Sequence, residues 1–389
     1  MAISASRRIA CLDGLRGLAA LWVLIGHAML LTNFVVPVLG EPDLGVDLFI
    51  MLSGFLMVFH YQLKQWSDHG TALAFLVRRY FRLAPLFYLM LAIALIAGPY
   101  LYECRMQIDA LRGVQPQQAA RYLDSSITNV FLHVSFLFGL LPGYAFRTPL
   151  PDWSLGLEMQ FYMLFPLMML GVQRFGWARA CTFIVATGMI AVTGLWLRGT
   201  AFPMPSFLPL KMHIFMCGML CAASLGRDRR FALAAGFVSA LLIAIPVGGQ
   251  NSIERLFVRE ALVAVFYGLV LHDRFSGWLG NLLSRGSSVL GTTPFHWAGE
   301  LSYSVYLIHL LVMQPVVAYV LTAYGKDLPA FSQFLIVMAI VAPATYMLSF
   351  ITYMQVEKRG NALGARLLRR LGVKAKDAVL SPAEQIAAP

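Results

Sequence analysis

The chain has 389 residues, 59% of them hydrophobic and only 13% charged, with a net charge of +11 and a mean hydropathy of +0.70. A soluble globular protein carries about 25% charged residues, so that class is excluded and an all-α polytopic membrane protein is expected. The positive balance belongs to the Lys- and Arg-rich loops of a cytoplasmic face rather than to nucleic-acid binding. Five cysteines without framework or ligand spacing predict neither a disulfide scaffold nor a metal site.

Arg7 and Arg8 precede the first apolar run, which is too long for a signal-peptide core and lacks a small-x-small cleavage site, so it reads as a retained first helix. Runs of spanning length fall near 15–33, 45–63, 83–101, 153–172, 180–197, 207–225, 231–248, 256–271, 301–323 and 331–354. That is about ten transmembrane helices. With both termini cytoplasmic, the inner segments hold most of the 30 Lys and Arg residues, which sets the orientation. Residues 127–141 are apolar but short. Counting them as a span would turn Arg227, Arg229 and Arg230 outward, so they are expected to be re-entrant or interfacial. The linker 272–300 is then the largest inner loop. Residues 1–355 form the transmembrane domain and 356–389 a basic cytoplasmic tail, disordered from about 371. No internal repeat is visible.

The polar residues inside these runs are ordered by depth. Arg16 and His27 are eleven positions apart on the first helix, which is three turns plus about 20°, so they share a face and stand about 16 Å apart along the axis. Ionisable residues in such a segment are functional candidates by default. At the inner rim, Arg79 and Arg82 share a helix face and are spaced to grip one anion together, whereas Arg78 reads as a lipid anchor. Pro85 suits a helix start. His309, in LSYSVYLIH, lies at a depth comparable to His27. Toward the outer face are Asp47, Asp152 and Glu158. For Asp47 and Asp152, capping of a helix N-terminus is the cheaper explanation. Glu158 lies within an apolar run and needs a partner or a proton; it could orient an imidazole or clamp two helices. The arrangement suggests an anionic donor held at the inner arginines, proton chemistry at mid-depth and a second substrate met from outside. Coenzyme A suits it, with phosphates on the arginines and the pantetheine arm reaching toward His27.

At these residues the chain resembles the acyltransferase family 3 membrane proteins. The likeness runs through LDGLRGLAALWVLIGH, GVDLFIMLSGFL, RRYFRLAP, DWSLGLEMQFYMLFP and LSYSVYLIH in the family's order, over about residues 10–355. The family's arginine–ten residues–histidine pattern falls on Arg16 and His27, its RxxR pattern on Arg79 and Arg82, its tryptophan–serine–x–x–x–glutamate block on Trp153, Ser154 and Glu158, and its tyrosine–leucine–x–histidine block on Tyr306, Leu307 and His309. The resemblance implies acyl transfer, usually acetyl from acetyl-CoA, to a hydroxyl of an extracytoplasmic glycan at the bacterial inner membrane, without a metal and with polysaccharide-assembly proteins as possible partners. Some members acylate macrolides. Because the chain stops soon after its last span, it is expected to be a stand-alone version without the soluble SGNH domain of many relatives.

The expected roles are catalysis by His27, Glu158 and His309, donor binding by Arg16, Arg79 and Arg82, and acceptor binding by Asp47, Asp152, Trp153, Ser154 and Tyr306. His27 is the general base, its tautomer set by a carboxylate such as Glu158. A transient acyl-histidine is the alternative chemistry. A transporter or flippase of a polyprenyl-linked glycan, or a scaffold in polysaccharide assembly, is the rival outside enzymology.

Overall fold

The computed structural model describes residues 9, 11–61, 64, 66, 69–248, 252–325 and 327–373, and every regular element among them is helical. In chain order the α-helices are α1 (Cys11–Thr32), α2 (Pro42–Tyr61), α3 (His69–Arg112), α4 (Ala120–Leu123), α5 (Ile127–Val134), α6 (Trp153–Leu197), α7 (Met212–Ser224), α8 (Arg229–Ile243), α9 (Ile253–Val270), α10 (Gly277–Leu290), α11 (Thr293–Tyr324), α12 (Ala330–Thr352) and α13 (Lys358–Arg370). Six stretches are long and apolar enough to cross a membrane: α1, α2, α3 from Gly70, α6, α11, and α12 continued through α13. The architecture is that of a polytopic membrane protein.

Two of the expected runs, 153–172 and 180–197, meet in α6, which breaks at Gly176 (φ 79°, ψ 166°), a conformation favoured only by glycine. The expected runs at 207–225, 231–248 and 256–271 are the shorter helices α7, α8 and α9. Helix α3 is 44 residues long, about 66 Å. Pro85 lies inside it rather than at its start. Having no N–H, Pro85 leaves the Phe81 carbonyl without its helical donor, and Gly360 of α13 packs against that carbonyl and the proline ring. Residues 127–141 are broken into α5, a left-handed Phe136 (φ 59°) and a 3₁₀ turn at Leu137–Leu140, so they form no spanning helix. The inner linker is not a plain loop, since it holds α10. The chain also runs on as helix through 355–356, by way of a π-helical turn at Tyr353–Glu357 into α13. The expected disordered tail lies mostly outside the described residues, as do Arg7 and Arg8.

Glycines set the central contacts. A Cβ on Gly299 of α11 would come within 2.1 Å of the Asp13 carbonyl, and one on Gly17 of α1 within 2.7 Å of Ala298 Cβ. Helices α1 and α11 therefore lie backbone to backbone, and they run parallel, with Asp13 beside Gly299 near one end and His27 beside His309 farther along. Helix α2 meets α7 as closely, at Gly54 against the Phe215 carbonyl and Gly218 against that of Met51. The Tyr303 hydroxyl, bonded to Leu83 O at 2.7 Å, ties α11 to α3.

Candidate active site

His27 and His309 meet inside the helix bundle. His309 is fully buried and His27 half-buried. His309 Nε2 is 3.2 Å from His27 Nδ1, and the ring centroids are 5.0 Å apart at 48°. His309 Nδ1 faces the carbonyl of Tyr306 at 2.7 Å, and His27 Nδ1 faces that of Val23 at 2.9 Å. Carbonyls only accept, so in the neutral pair both Nδ1 atoms carry the hydrogen. His309 Nε2 is then an acceptor for His27 Nδ1–H, and His27 Nε2 keeps its lone pair.

Glu158 stands elsewhere. Its Oε1 accepts from Ser53 Oγ at 2.8 Å and from the Tyr162 hydroxyl, one turn along α6. His27 is not among its partners, so the expected pairing of Glu158 with the His27 ring gives way to the His309 contact.

The arginines divide. The guanidinium of Arg79 lies among the rings of Tyr61, Phe75 and Tyr162, 5.6–6.0 Å from their centroids, and donates to the Tyr61 hydroxyl at 3.4 Å. Arg16 and Arg82 lie within electrostatic range of Glu300, and Arg16 within range of Arg82. Arg79 and Arg82 share a helix face, as their spacing predicts, but Arg79 is caged by aromatics while Arg82 joins Arg16. Among the described residues neither Arg16 nor Arg82 has a hydrogen-bonded or ion-paired side-chain partner within 4 Å. Beside them, the ligating atoms of Asp13, His296 and Glu300 lie within 4.8 Å of one another, with His296 Nδ1 2.9 Å from Asp13 Oδ2.

At the other end, the Tyr306 hydroxyl donates to Pro151 O at 2.6 Å and accepts from Ser154 Oγ at 2.8 Å, next to the buried Trp153. Tyr306 is three residues from His309, so this network is one turn from the imidazole pair. Asp152 precedes α6 but makes no side-chain cap. Its Oδ2 accepts from Thr148 Oγ1 at 2.7 Å and lies 3.7 Å from Nε2 of the fully buried His133. Burial pushes the Asp152 carboxyl above its ordinary value, against the pull of His133. Asp47 is no cap either. Inside α2, it bonds Lys211 Nζ and Arg259 Nε, both at 2.7 Å, all three residues being buried.

Sequence reading passed over Lys211, Arg259 and Glu357. Lys211 and Arg259 fall within two of the expected runs, so the depth rule applied to Arg16 and His27 marks them as well. Glu357 lies just past the last run and gave no such signal.

A family model for an acyltransferase domain matches residues 9–354, and the chain belongs to that acyltransferase family. It is 25% identical over 324 residues to the peptidoglycan O-acetyltransferase OatA of Listeria monocytogenes, covering 77% of this chain and 48% of that protein. It is 27% identical over 338 residues to nodulation protein 10 of Rhizobium leguminosarum, covering 79% and 83%, and 26% identical over 336 residues to the acyltransferase MdmB of Streptomyces mycarofaciens, covering 79% of each. The chain spans about half the length of OatA and of the putative peptidoglycan O-acetyltransferase YrhL of Bacillus subtilis. No solved structure matches it.

Proposed function

We propose that the protein transfers an acyl group, acetyl foremost, from cytoplasmic acyl-CoA to a hydroxyl of an extracytoplasmic glycan such as an exopolysaccharide or O-antigen sugar. The observation that carries this reading is the contact of His309 Nε2 with His27 Nδ1, because it leaves a basic nitrogen, His27 Nε2, inside a bundle whose family performs acyl transfer. His27 Nε2 takes the proton of the acceptor hydroxyl as its oxygen attacks the thioester carbonyl carbon. The C–S bond breaks, the proton passes to the departing sulfur, and the products are an ester and free CoA. Arg16 and Arg82, partly exposed and without an ion pair among the described residues, supply the charge for the donor phosphates. Arg79 serves them from its aromatic cage, held by the Glu158–Tyr162–Ser53 network. Trp153, Ser154 and Tyr306 face the acceptor, while Asp47 and Asp152 brace the walls on that side.

Counting α6 twice about Gly176, and α7, α8 and α9 as spans, gives ten crossings of the bacterial inner membrane with both termini in the cytoplasm. That orientation puts the arginines on the side where acyl-CoA is made. The similarity to O-acetyltransferases acting on peptidoglycan supports a glycan acceptor.

The test is acyl analysis of surface polysaccharide from cells making wild type or His27→Ala at matched levels. O-acyl groups that depend on the protein and vanish in His27→Ala support transfer. Unchanged acyl content with reduced polysaccharide export makes the protein a carrier and refutes the reading.

A further inference from the structure

The carboxylate of Glu357 is about 1% exposed, deep at the end of α12's extension. Its Oε1 accepts from Ser304 Oγ, and Ser304 in turn accepts from Thr352 Oγ1 at 3.1 Å. Its Oε2 is buried and receives no hydrogen bond from any described residue. A buried carboxylate oxygen without a donor is unfavourable and calls for a partner. The residue is placed there by the π-helical turn at Tyr353–Glu357, a rare local geometry that recurs at functional sites. The same turn bonds the Tyr353 hydroxyl to Glu300.

The position of this acceptor matters. Among the described residues Glu357 has no ion-paired partner, and Ser304 is the one side chain that donates to it. Ser304 lies five residues before His309 on α11, about 7.5 Å along the axis. Through its bond to Ser304, Glu357 is tied to α11 about one and a half turns from His309, with one carboxylate oxygen unfilled. A group that offers an N–H satisfies that acceptor, and a secondary amide is such a group.

Resting on the donor assignment made above, we propose that Glu357 Oε2 accepts a hydrogen bond from an amide N–H of the pantetheine arm of the acyl-CoA donor, which makes Glu357 a donor-specificity residue. A buried carboxylate favours an amide-bearing donor over a bare phosphate ligand: the amide satisfies it, whereas phosphate is repelled by it.

The experiment compares two probes on the purified full-length protein in lipid nanodiscs. CoA carries phosphates and amides, while adenosine 3′,5′-bisphosphate carries the phosphates alone. Binding of each is measured by calorimetry for wild type, Glu357→Gln and Ser304→Ala, the last loosening the hold on Oε1. The expected result is that Glu357→Gln lowers the ratio of CoA to bisphosphate affinity by at least about tenfold, the scale of one charge-assisted hydrogen bond, with Ser304→Ala shifting it less in the same direction. An unchanged ratio in both variants overturns the inference and leaves the donor assignment standing. Equal weakening of both probes also overturns it, since Glu357 would then act through the arginines or the fold. If wild type binds neither probe, the donor assignment itself fails and this inference with it.

Discussion

A single imidazole has two ring nitrogens, and which one is basic depends on what the other touches. Here the other nitrogen of His27 touches His309, so the base proposed above depends on its neighbour. His309→Phe keeps the packing volume and removes the acceptor. It is expected to lower kcat for acyl transfer at least tenfold, within the range general-base catalysis commands, with donor KM unchanged; an unaltered kcat in a purified-enzyme assay would show that His309 plays no part in setting the base. Under the proposed donor assignment Arg82→Ala should do the reverse, raising donor KM with a smaller change in kcat, because a rim charge that binds phosphate does not touch the reacting atoms. At Asp47 the expected change is in stability. Asp47→Asn leaves Lys211 and Arg259 facing each other, a loss of about 3–5 kcal/mol for a broken buried pair, visible as a lower thermal midpoint in detergent. These residues differ in how well the sequence shows them. His27 and His309 stand out as lone polar groups in apolar runs. Their contact does not, because 282 positions separate them and only the packing of α1 on α11 brings them together. Glu158 was equally visible, but its partners Ser53 and Tyr162 carry no charge to advertise them.

At the level of elements, the apolar runs locate the helices and the glycines decide how close they come. The period of the hydrophobic pattern does not reveal that α6 breaks at Gly176, since a single glycine in a run is tolerated as often as it kinks. Nor does it reveal that α3 continues far past its apolar centre in both directions, because its polar ends have no stop signal strong enough to mark a boundary. Close approach is what the fold demands of Gly299. Gly299→Val puts two methyl groups into the α1 backbone and should part the imidazole pair. The expected outcome is a destabilisation of about 1–3 kcal/mol from overpacking together with loss of acyl transfer. Retention of full activity would show that the helices can separate without cost to the site.

For the molecule as a whole, the five cysteines among the described residues are buried, which makes its orientation easy to test. Gln115→Cys, in the exposed stretch after α3, should react with a membrane-impermeant maleimide on intact spheroplasts. Ser288→Cys, exposed on α10, should react only after permeabilisation. The opposite pattern would invert the topology and put the arginines outside. The parallel seating of α1 and α11 has a further consequence, in time rather than in space. Helix α1 is among the first segments made and α11 among the last, so during synthesis the first imidazole waits for most of the chain before its companion arrives. A nascent or prematurely terminated chain can hold Arg16, Arg82 and Glu158 and still have no set base. The order of translation thus leaves the half-made protein without its paired imidazoles until its bundle is closed.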